Sequence, residues 1–257
     1  GAGAISHMSV RNKPEVFNEP GLFGAIYIKG LKNAAKILEG PVPDWKKFGQ
    51  RDAGNGAGGM TTGLPHFHHA SFKARFPFGY IELKDDELPV HVQLTGWSPF
   101  IPGDDDNSSL PVGAMEYKIV NRSSATIDAV FSFNAKNFVA VDDGKNSINK
   151  INNGFILSEA GTKEKPFLKT DFAVFTDDDN TVVDYCWFRG GWWDPLTMAW
   201  NAVKTADVKN VPPVESGAPG ASLYIPFKLA ANQQKSIRIM MSWFTPDSDQ
   251  TYGTMGL

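Results

Sequence analysis

Short segments in which apolar and polar residues alternate recur along the chain, and turn residues such as glycine, proline, asparagine and aspartate separate them. In Gly113–Asn121, one face of an extended strand would carry Met115, Tyr117 and Ile119. The other face would carry Ala114, Glu116, Lys118 and Val120. A period of two predicts a half-buried β-strand. About a dozen such segments predict an all-β fold, a two-sheet antiparallel β-sandwich.

Helical patterns are scarce. In Asp194–Asp207, Asp194 followed by Pro195 predicts an N-cap and the first residue of a helix. Leu31–Leu38 ("LKNAAKIL") is a weaker helix candidate. The chain is therefore expected to contain one or two short helices, and residues 1–257 show no internal domain boundary.

Three polar segments between predicted strands have the composition of tight connections. "KDDELP" (Lys84–Pro89) and "RSS" (Arg122–Ser124) each join two alternating segments and predict hairpins. "DDDN" (Asp177–Asn180) also lies between two strand-like segments, where aspartate and asparagine stabilise a turn. We expect this last segment to be a plain solvated turn.

Charge and composition exclude several classes of function. The 25 basic and 28 acidic residues are spread along the chain, so no basic stripe predicts binding to nucleic acid. No segment of about 18 apolar residues predicts a transmembrane segment. No signal peptide is visible, and the cellular location stays open. The single cysteine, Cys186, lies in an apolar segment that is typical of a small core residue.

"GWSPFIPGDDDNSSLP" (Gly96–Pro111) contains a second "DDDN" beside Trp97 and several prolines. Three adjacent aspartates alternate in direction, so they do not form the paired acid and base that glycoside hydrolysis needs. The spacing also lacks the calcium-binding pattern of an EF-hand. A stiff structural loop is the favoured interpretation, and its stiffness suits a loop that presses against a partner.

The segment "HFHH" offers three histidines close together. His66 and His68 would share one face of a strand, with His69 on the other. Two histidines without a third ligand are weak evidence for a metal, and hydrogen-bonded histidines are the favoured interpretation. We expect no bound transition metal and no cofactor.

The densest aromatic cluster runs from Trp187 to Trp200. Gly190 and Gly191 interrupt its strand pattern, which would place the following tryptophans near an edge. If these tryptophans are exposed, they could stack on sugar rings or on a partner domain. If they are buried, they belong to the hydrophobic core.

Six segments together resemble one family: "RNKPEVFNEP", "GPVPDWKKFG", "GLPHFHHASFKARFPFGYIEL", "GWSPFIPGDDDNSSLP", "FSFNAKNF" and "WFRGGWWDPLTMAWN". They are similar to the N-terminal domain of glycoside hydrolase family 116, which includes bacterial β-glucosidases and the non-lysosomal glucosylceramidase, also called bile acid β-glucosidase. The resemblance spans nearly the whole chain. It implies a supersandwich-like domain that packs against a C-terminal (α/α)6 barrel.

The resemblance also implies where catalysis takes place. In the family, a glutamate nucleophile and an aspartate acid/base lie on the barrel, and no position of these 257 residues matches either motif. The chain alone is therefore expected to be inactive. The implied partners are the catalytic barrel of the same enzyme and a β-glucoside or related carbohydrate.

Twelve residues are candidates for contact with substrate or with the barrel: Arg11, Glu15, His66, His68, Trp97, Asp104, Asp105, Ser108, Ser109, Arg189, Trp192 and Trp193. The polar residues of the 96–111 loop exceed what a turn needs, so we expect them to share hydrogen bonds with the barrel. An independent carbohydrate-binding module is the alternative. Such a module would bind sugar by itself, whereas half of an enzyme would expose an apolar patch.

Overall fold

Strands are the main regular elements of the computed structural model. It describes residues 3–5, 7–10, 13–16, 21–42, 64–141, 144–191 and 194–249, with the backbone alone for 7–10 and 13–16. Strands β1 (His7–Val10) and β2 (Lys13–Val16) form an antiparallel pair of their own. The other described strands form two antiparallel sheets, so the predicted all-β class is confirmed.

The larger sheet has eight strands. In spatial order they are β10 (Asn146–Ile151), β11 (Gly154–Glu159), β12 (Thr170–Phe175), β15 (Gln234–Phe244), β8 (Val112–Asn121), β7 (Val90–Trp97), β6 (Phe78–Lys84) and β5 (His69–Arg75). Tyr117 and Ile119 of β8 point into the core, while Glu116, Lys118 and Val120 on the other face are half-exposed. The alternation predicted for this strand is confirmed.

The smaller sheet has five strands. In spatial order they are β13 (Val182–Asp184), β14 (Gly220–Leu229), β9 (Ile127–Lys136), β3 (Leu22–Ile28) and β4 (Ala35–Ile37). One face of this sheet packs on the larger sheet and forms the main core. The sheets come so close that a β-carbon on Gly24 would lie 3.0 Å from the Tyr117 ring.

The structure contains few helices. α1 (Asp105–Ser108) and a 3-10 helix (Pro166–Leu168) are single turns, and α2 (Pro195–Thr205) is longer. The Asp194 carboxylate accepts a hydrogen bond from the Thr197 amide at 2.8 Å, so the predicted N-cap is confirmed. Buried residues of α2, including Trp200, cover the outer face of the smaller sheet. This cover explains why β3 is buried on both faces rather than alternating.

The predicted hairpin at Arg122–Ser124 and the predicted turn at Asp177–Asn180 are instead crossings between the sheets. The "RSS" segment leads from β8 in the larger sheet to β9 in the smaller one, and Asp177–Asn180 leads from β12 to β13. At the first crossing, the buried Asn121 amide donates to the carbonyls of Ala125, Leu229 and Ala230. Turn composition is the same for a hairpin and for a crossing, so local residues did not distinguish them.

The helix predicted for Leu31–Leu38 is wrong, because this segment contains a turn followed by β4. Ile37 pairs with Ala25 of β3, and Lys36 is buried by ionic contacts with another segment. Tertiary pairing overrides the helical preference of alanine and lysine here. "KDDELP" does join the paired strands β6 and β7, as predicted. Among the described residues, no helix has the length and apolar character needed to cross a membrane.

Candidate interaction surface

Strands β6 and β7 carry a distinct group of side chains at each end. Aromatic residues lie where β6 begins and β7 ends, and ionic residues lie around the connection at Lys84–Pro89. The seven residues of β6 separate these groups by about 20 Å. The two groups are therefore separate candidate sites.

The first group is the aromatic patch, which consists of Phe76, Phe78, Tyr80, Trp97 and Phe100. Phe76 is 77% exposed, and its ring meets that of Phe100 edge to face at a centroid distance of 4.7 Å. Phe78 lies 6.0 Å from Tyr80 and 6.4 Å from its cross-strand neighbour Trp97. Large apolar side chains that cluster in contact with water mark an interaction surface.

The loop between β7 and β8 holds the outer part of this patch in place. The Ser108 hydroxyl accepts a hydrogen bond from the Ile101 amide at 2.8 Å and lies 2.6 Å from the Asp104 carbonyl. Asp104 caps α1 by accepting from the Asn107 backbone amide at 3.0 Å. Hydrogen bonds from the Asn107 side chain and backbone also hold the pKa of Asp104 below its usual range. These bonds fix the course of the loop and leave Phe100 and Ile101 exposed.

This arrangement changes the role expected for the polar residues of the loop. Asp104 and Ser108 use their hydrogen bonds inside the loop, so a partner is not needed to satisfy them. Asp105 and Ser109 are exposed. The apolar side chains that the loop exposes are Phe100, Ile101 and Leu110. Contact of the four polar residues with a partner stays a prediction.

The second group is the Lys36 cluster, which consists of Lys36, His68, Asp85 and Glu87. The Lys36 ammonium is buried and lies 2.9 Å from both carboxylate oxygens of Asp85 and 2.7 Å from Glu87. Burial opposes its charge, but the hydrogen bonds to Glu87 and Asp85 outweigh burial and raise the pKa of Lys36. The cluster therefore links β4, at the edge of the smaller sheet, to the connection between β6 and β7 in the larger sheet.

Asp85 is the centre of this cluster. Its carboxylate is fully buried and also accepts backbone hydrogen bonds from His68, Glu87 and Leu88. Burial raises the pKa of Asp85, but the bonds from Lys36 and from these amides outweigh burial and leave the pKa lowered. The residue is therefore an ionised carboxylate in the interior, with donors on all sides.

The three histidines are hydrogen-bonded, as predicted, but not in the expected arrangement. His66 Nδ1 lies 2.7 Å from the Gly40 carbonyl, whereas His68 and His69 both lie 3.3 Å from the Asp86 carboxylate. His66 and His68 therefore do not act together. The regular strand begins only at His69, so alternation does not apply to the residues before it.

His68, Asp85 and Glu87 bring three metal-ligating atoms within 4.8 Å of one another. The Lys36 ammonium already lies among them, 3.3 Å from His68 Nε2. These carboxylates therefore have a cation from the protein itself, and a metal would have to displace it. The expectation of no bound transition metal stays a prediction.

The second "DDDN" is not the plain solvated turn that we expected. The Asp178 carboxylate lies 2.6 Å from the Lys235 ammonium, and Asp177 lies 3.2 Å from the Arg238 guanidinium. Burial raises the pKa of Asp178, but the bond from Lys235 outweighs it and leaves the pKa lowered. Strand β15 supplies both basic partners, which are far away in the sequence, so the local pattern did not predict them.

The remaining candidates lie away from both groups. Arg189 donates a hydrogen bond to the Ser216 carbonyl at 3.2 Å, on the side of the molecule that carries β13. Arg11, Trp192 and Trp193 lie outside the described residues, and Glu15 is described only as part of β2.

The structure therefore brings Trp97 together with the loop of Asp104, Asp105, Ser108 and Ser109 and separates them from His66 and His68. Sequence reasoning missed Phe76 and Phe100, whose apolar character would have placed them in the core. The signal that could have found them is their position, since each adjoins a proline at a strand end.

Comparisons with known proteins assign a family. The family model described as beta-glucosidase 2, glycosyl-hydrolase family 116 N-term matches residues 6–254. No curated protein matches the chain. Among solved structures, "Putative kojibiose phosphorylase from human microbiome" is 9% identical with a TM-score of 0.39. The alignment covers 68% of this chain and 18% of that one.

Proposed function

Because the chain belongs to the N-terminal domain family of glycosyl-hydrolase family 116, we propose that it is the non-catalytic β-sandwich domain of a retaining β-glucosidase or glucosylceramidase-like enzyme. In this proposal it packs against the catalytic (α/α)6 barrel and supports it. The substrate of the complete enzyme is a β-glucoside or a related carbohydrate.

The aromatic patch is the observation that carries the proposed packing. Exposing Phe76 and Phe100 to water is unfavourable, and burying such rings contributes about 1.5–3 kcal/mol for each. Ile101 and Leu110 extend the apolar surface along the same loop. A surface of this kind is typical of one that a second domain covers.

Geometry favours a protein over a sugar on this patch. The Phe78 ring is inclined by 32° to Tyr80 and by 50° to Trp97, and Phe76 stands edge-on to Phe100 at 74°. Tilted and edge-to-face ring pairs are the arrangements that aromatic side chains prefer when they pack with one another in protein cores and interfaces. The independent carbohydrate-binding module therefore stays the second candidate.

In the intact enzyme, the paired change Phe76→Ser and Phe100→Ser should weaken the contact between the domains. Loss of about 1.5 kcal/mol for each ring predicts that protease cleavage of the interdomain connection accelerates at least tenfold. The rate of this cleavage, followed by gel electrophoresis, checks the prediction.

Lys150→Ser is the control, since Lys150 is exposed on β10, at the opposite edge of the larger sheet from β5 and the aromatic patch. It should leave the cleavage rate unchanged. An unchanged rate in the paired variant would contradict the proposed packing. Saturable binding of β-glucan to this chain, lost in Trp97→Ala, would support the carbohydrate-binding module instead.

We also expect this chain alone not to hydrolyse aryl β-glucosides, because acid/base catalysis requires a positioned pair of carboxyl groups. Release of nitrophenol from a nitrophenyl β-glucoside measures the activity. Turnover that disappears in Asp104→Asn or Asp105→Asn would place an active site on this domain and overturn the proposal.

A further inference from the structure

A buried carboxylate lies at the edge of the smaller sheet. Asp184 ends β13, which is an edge strand, and the residue is 3% exposed. Its carboxylate accepts a hydrogen bond from the Cys186 amide at 3.0 Å. Within the part of the chain that the structure describes, it forms no ion pair. Burial therefore favours its neutral, protonated form over the anion.

Residues 206–211, which follow α2, form a strap beside this carboxylate. Lys209 and Asp207 belong to the strap, and the charges of both act on Asp184. None of the strap residues is buried, and none lies in a helix or a strand. Segments with so few buried contacts open at a lower free energy than the core of a domain does.

A hydrogen bond fastens the far end of the strap to the sheet. The Tyr185 amide donates to the Val211 carbonyl at 3.0 Å, directly after β13. At its other end the strap continues from α2, where the Asp207 amide donates to the Ala202 carbonyl at 2.9 Å. Breaking the Tyr185 bond would let water reach the end of β13, while β13 keeps its pairing with β14.

Asp184 is the group whose charge changes here between pH 5 and pH 8. Burial raises the pKa of Asp184 to about 6, from an ordinary value of 3.8. Burial and the nearby Asp184 charge raise the pKa of Cys186 and of Tyr224, so both side chains stay neutral over this range. The Lys209 cation favours the ionised form of Asp184, and the Asp207 anion opposes it.

We propose that residues 206–211 are a pH-sensitive strap, which closes over Asp184 while its carboxyl group is protonated and opens when that group ionises. Opening hydrates the carboxylate, and an anion gains far more from water than a neutral acid does. Ionisation therefore shifts the balance toward the open strap. Closure should weaken as the pH rises from 3.8 to about 6 and then stay level.

Hydrogen exchange of the Tyr185 amide, followed by NMR on the whole chain, measures opening, because the bond to Val211 must break before exchange. After correction for the intrinsic exchange rate, exchange should be about tenfold faster at pH 8 than at pH 5, since one pH unit separates pH 5 from the folded-state pKa. The Trp187 amide, which donates to the Gly220 carbonyl at 2.9 Å, is the internal reference. It should exchange more slowly than the Tyr185 amide at both pH values.

Three variants locate the response. Asp184→Asn should abolish the tenfold change, because an amide does not ionise. Lys209→Met should accelerate exchange of the Tyr185 amide at pH 8, because it removes the cation beside the buried anion. Asp179→Asn is the matched control, since Asp179 is an exposed aspartate shortly before β13 and should leave the response as in the parent chain.

Two results would overturn the proposal. The first is a pH response of the Tyr185 amide that persists in Asp184→Asn. The second is equal exchange of the Tyr185 and Trp187 amides with the same response to pH, which would mean that unfolding of the whole chain releases both. Faster exchange of the Tyr185 amide that depends on pH and is lost in Asp184→Asn would support the strap.

Discussion

Lys36→Ala is expected to lower the free energy of unfolding by about 3–5 kcal/mol. The change leaves the fully buried Asp85 carboxylate without its cation, and three backbone amides cannot replace a charge at 2.9 Å. It also releases the edge of the smaller sheet from the connection between β6 and β7. Urea-induced unfolding of the chain at neutral pH, followed by tryptophan fluorescence, measures the loss.

Two variants control for this effect. Lys235→Ala removes a lysine that pairs with Asp178 at a similar distance but is 26% exposed, so it should cost about 1 kcal/mol or less. Lys36→Met combined with Asp85→Asn removes both charges but keeps an acceptor for the backbone amides, so it should recover part of the stability. If Lys36→Ala lowers the free energy of unfolding no more than Lys235→Ala does, the Lys36 cluster does not hold the sheets together.

Acid should destabilise the parent chain through the same cluster. The folded-state pKa of Asp85 lies below its ordinary value, so its contribution is fully present above that ordinary value and is lost as the pH falls through the lowered pKa. In Lys36→Ala this part of the acid dependence should become weaker. Comparing the acid dependence of the parent chain with that of Lys36→Ala therefore distinguishes loss of the ion pair from loss of side-chain packing.

The fold was predictable wherever a single segment carries the information. Alternation in Gly113–Asn121 indicated β8, and the Asp194–Pro195 pair indicated the start of α2. The way in which strands are shared between two sheets depends on contacts distant in sequence. The buried Asn121 amide holds the crossing after β8, and two of its acceptors lie more than a hundred residues away.

The candidate sites were predictable to a smaller extent. The composition of the 96–111 loop drew attention to its aspartates and serines, whereas the structure also exposes the apolar side chains of Phe100 and Ile101, which were not singled out. Asp85 was interpreted as part of a hairpin, because nothing in "KDDELP" indicates which carboxylate is buried. Its partner Lys36 lies 49 residues earlier, in a segment interpreted as helix.

Asp184→Asn is expected to stabilise the chain by about 2–3 kcal/mol at pH 8. Asp184 is 3% exposed, and burial raises its pKa to about 6, while a hydrogen bond from the Cys186 amide and the charge of Lys209 oppose the rise. The difference between the folded-state pKa of Asp184 and its ordinary pKa of 3.8 corresponds to about 3 kcal/mol of lost stability when the group is ionised. An amide keeps the hydrogen bond from Cys186 and removes the buried charge.

The pH dependence gives the sign of this effect. Below about pH 4 the Asp184 carboxyl is protonated in both the folded and the unfolded chain, so it does not lower the free energy of unfolding. Between 3.8 and about 6 the unfolded chain releases a proton that the folded chain retains, so stability falls as the pH rises and then stays level. Unfolding by urea at pH 5 and pH 8 should therefore show a gain in stability from Asp184→Asn that is larger at pH 8.

Asp194→Asn is the control. Asparagine caps a helix as well as aspartate does, so this change should alter the stability little. A loss of stability in Asp184→Asn at pH 8 would show that the buried carboxylate has a stabilising partner in the folded chain.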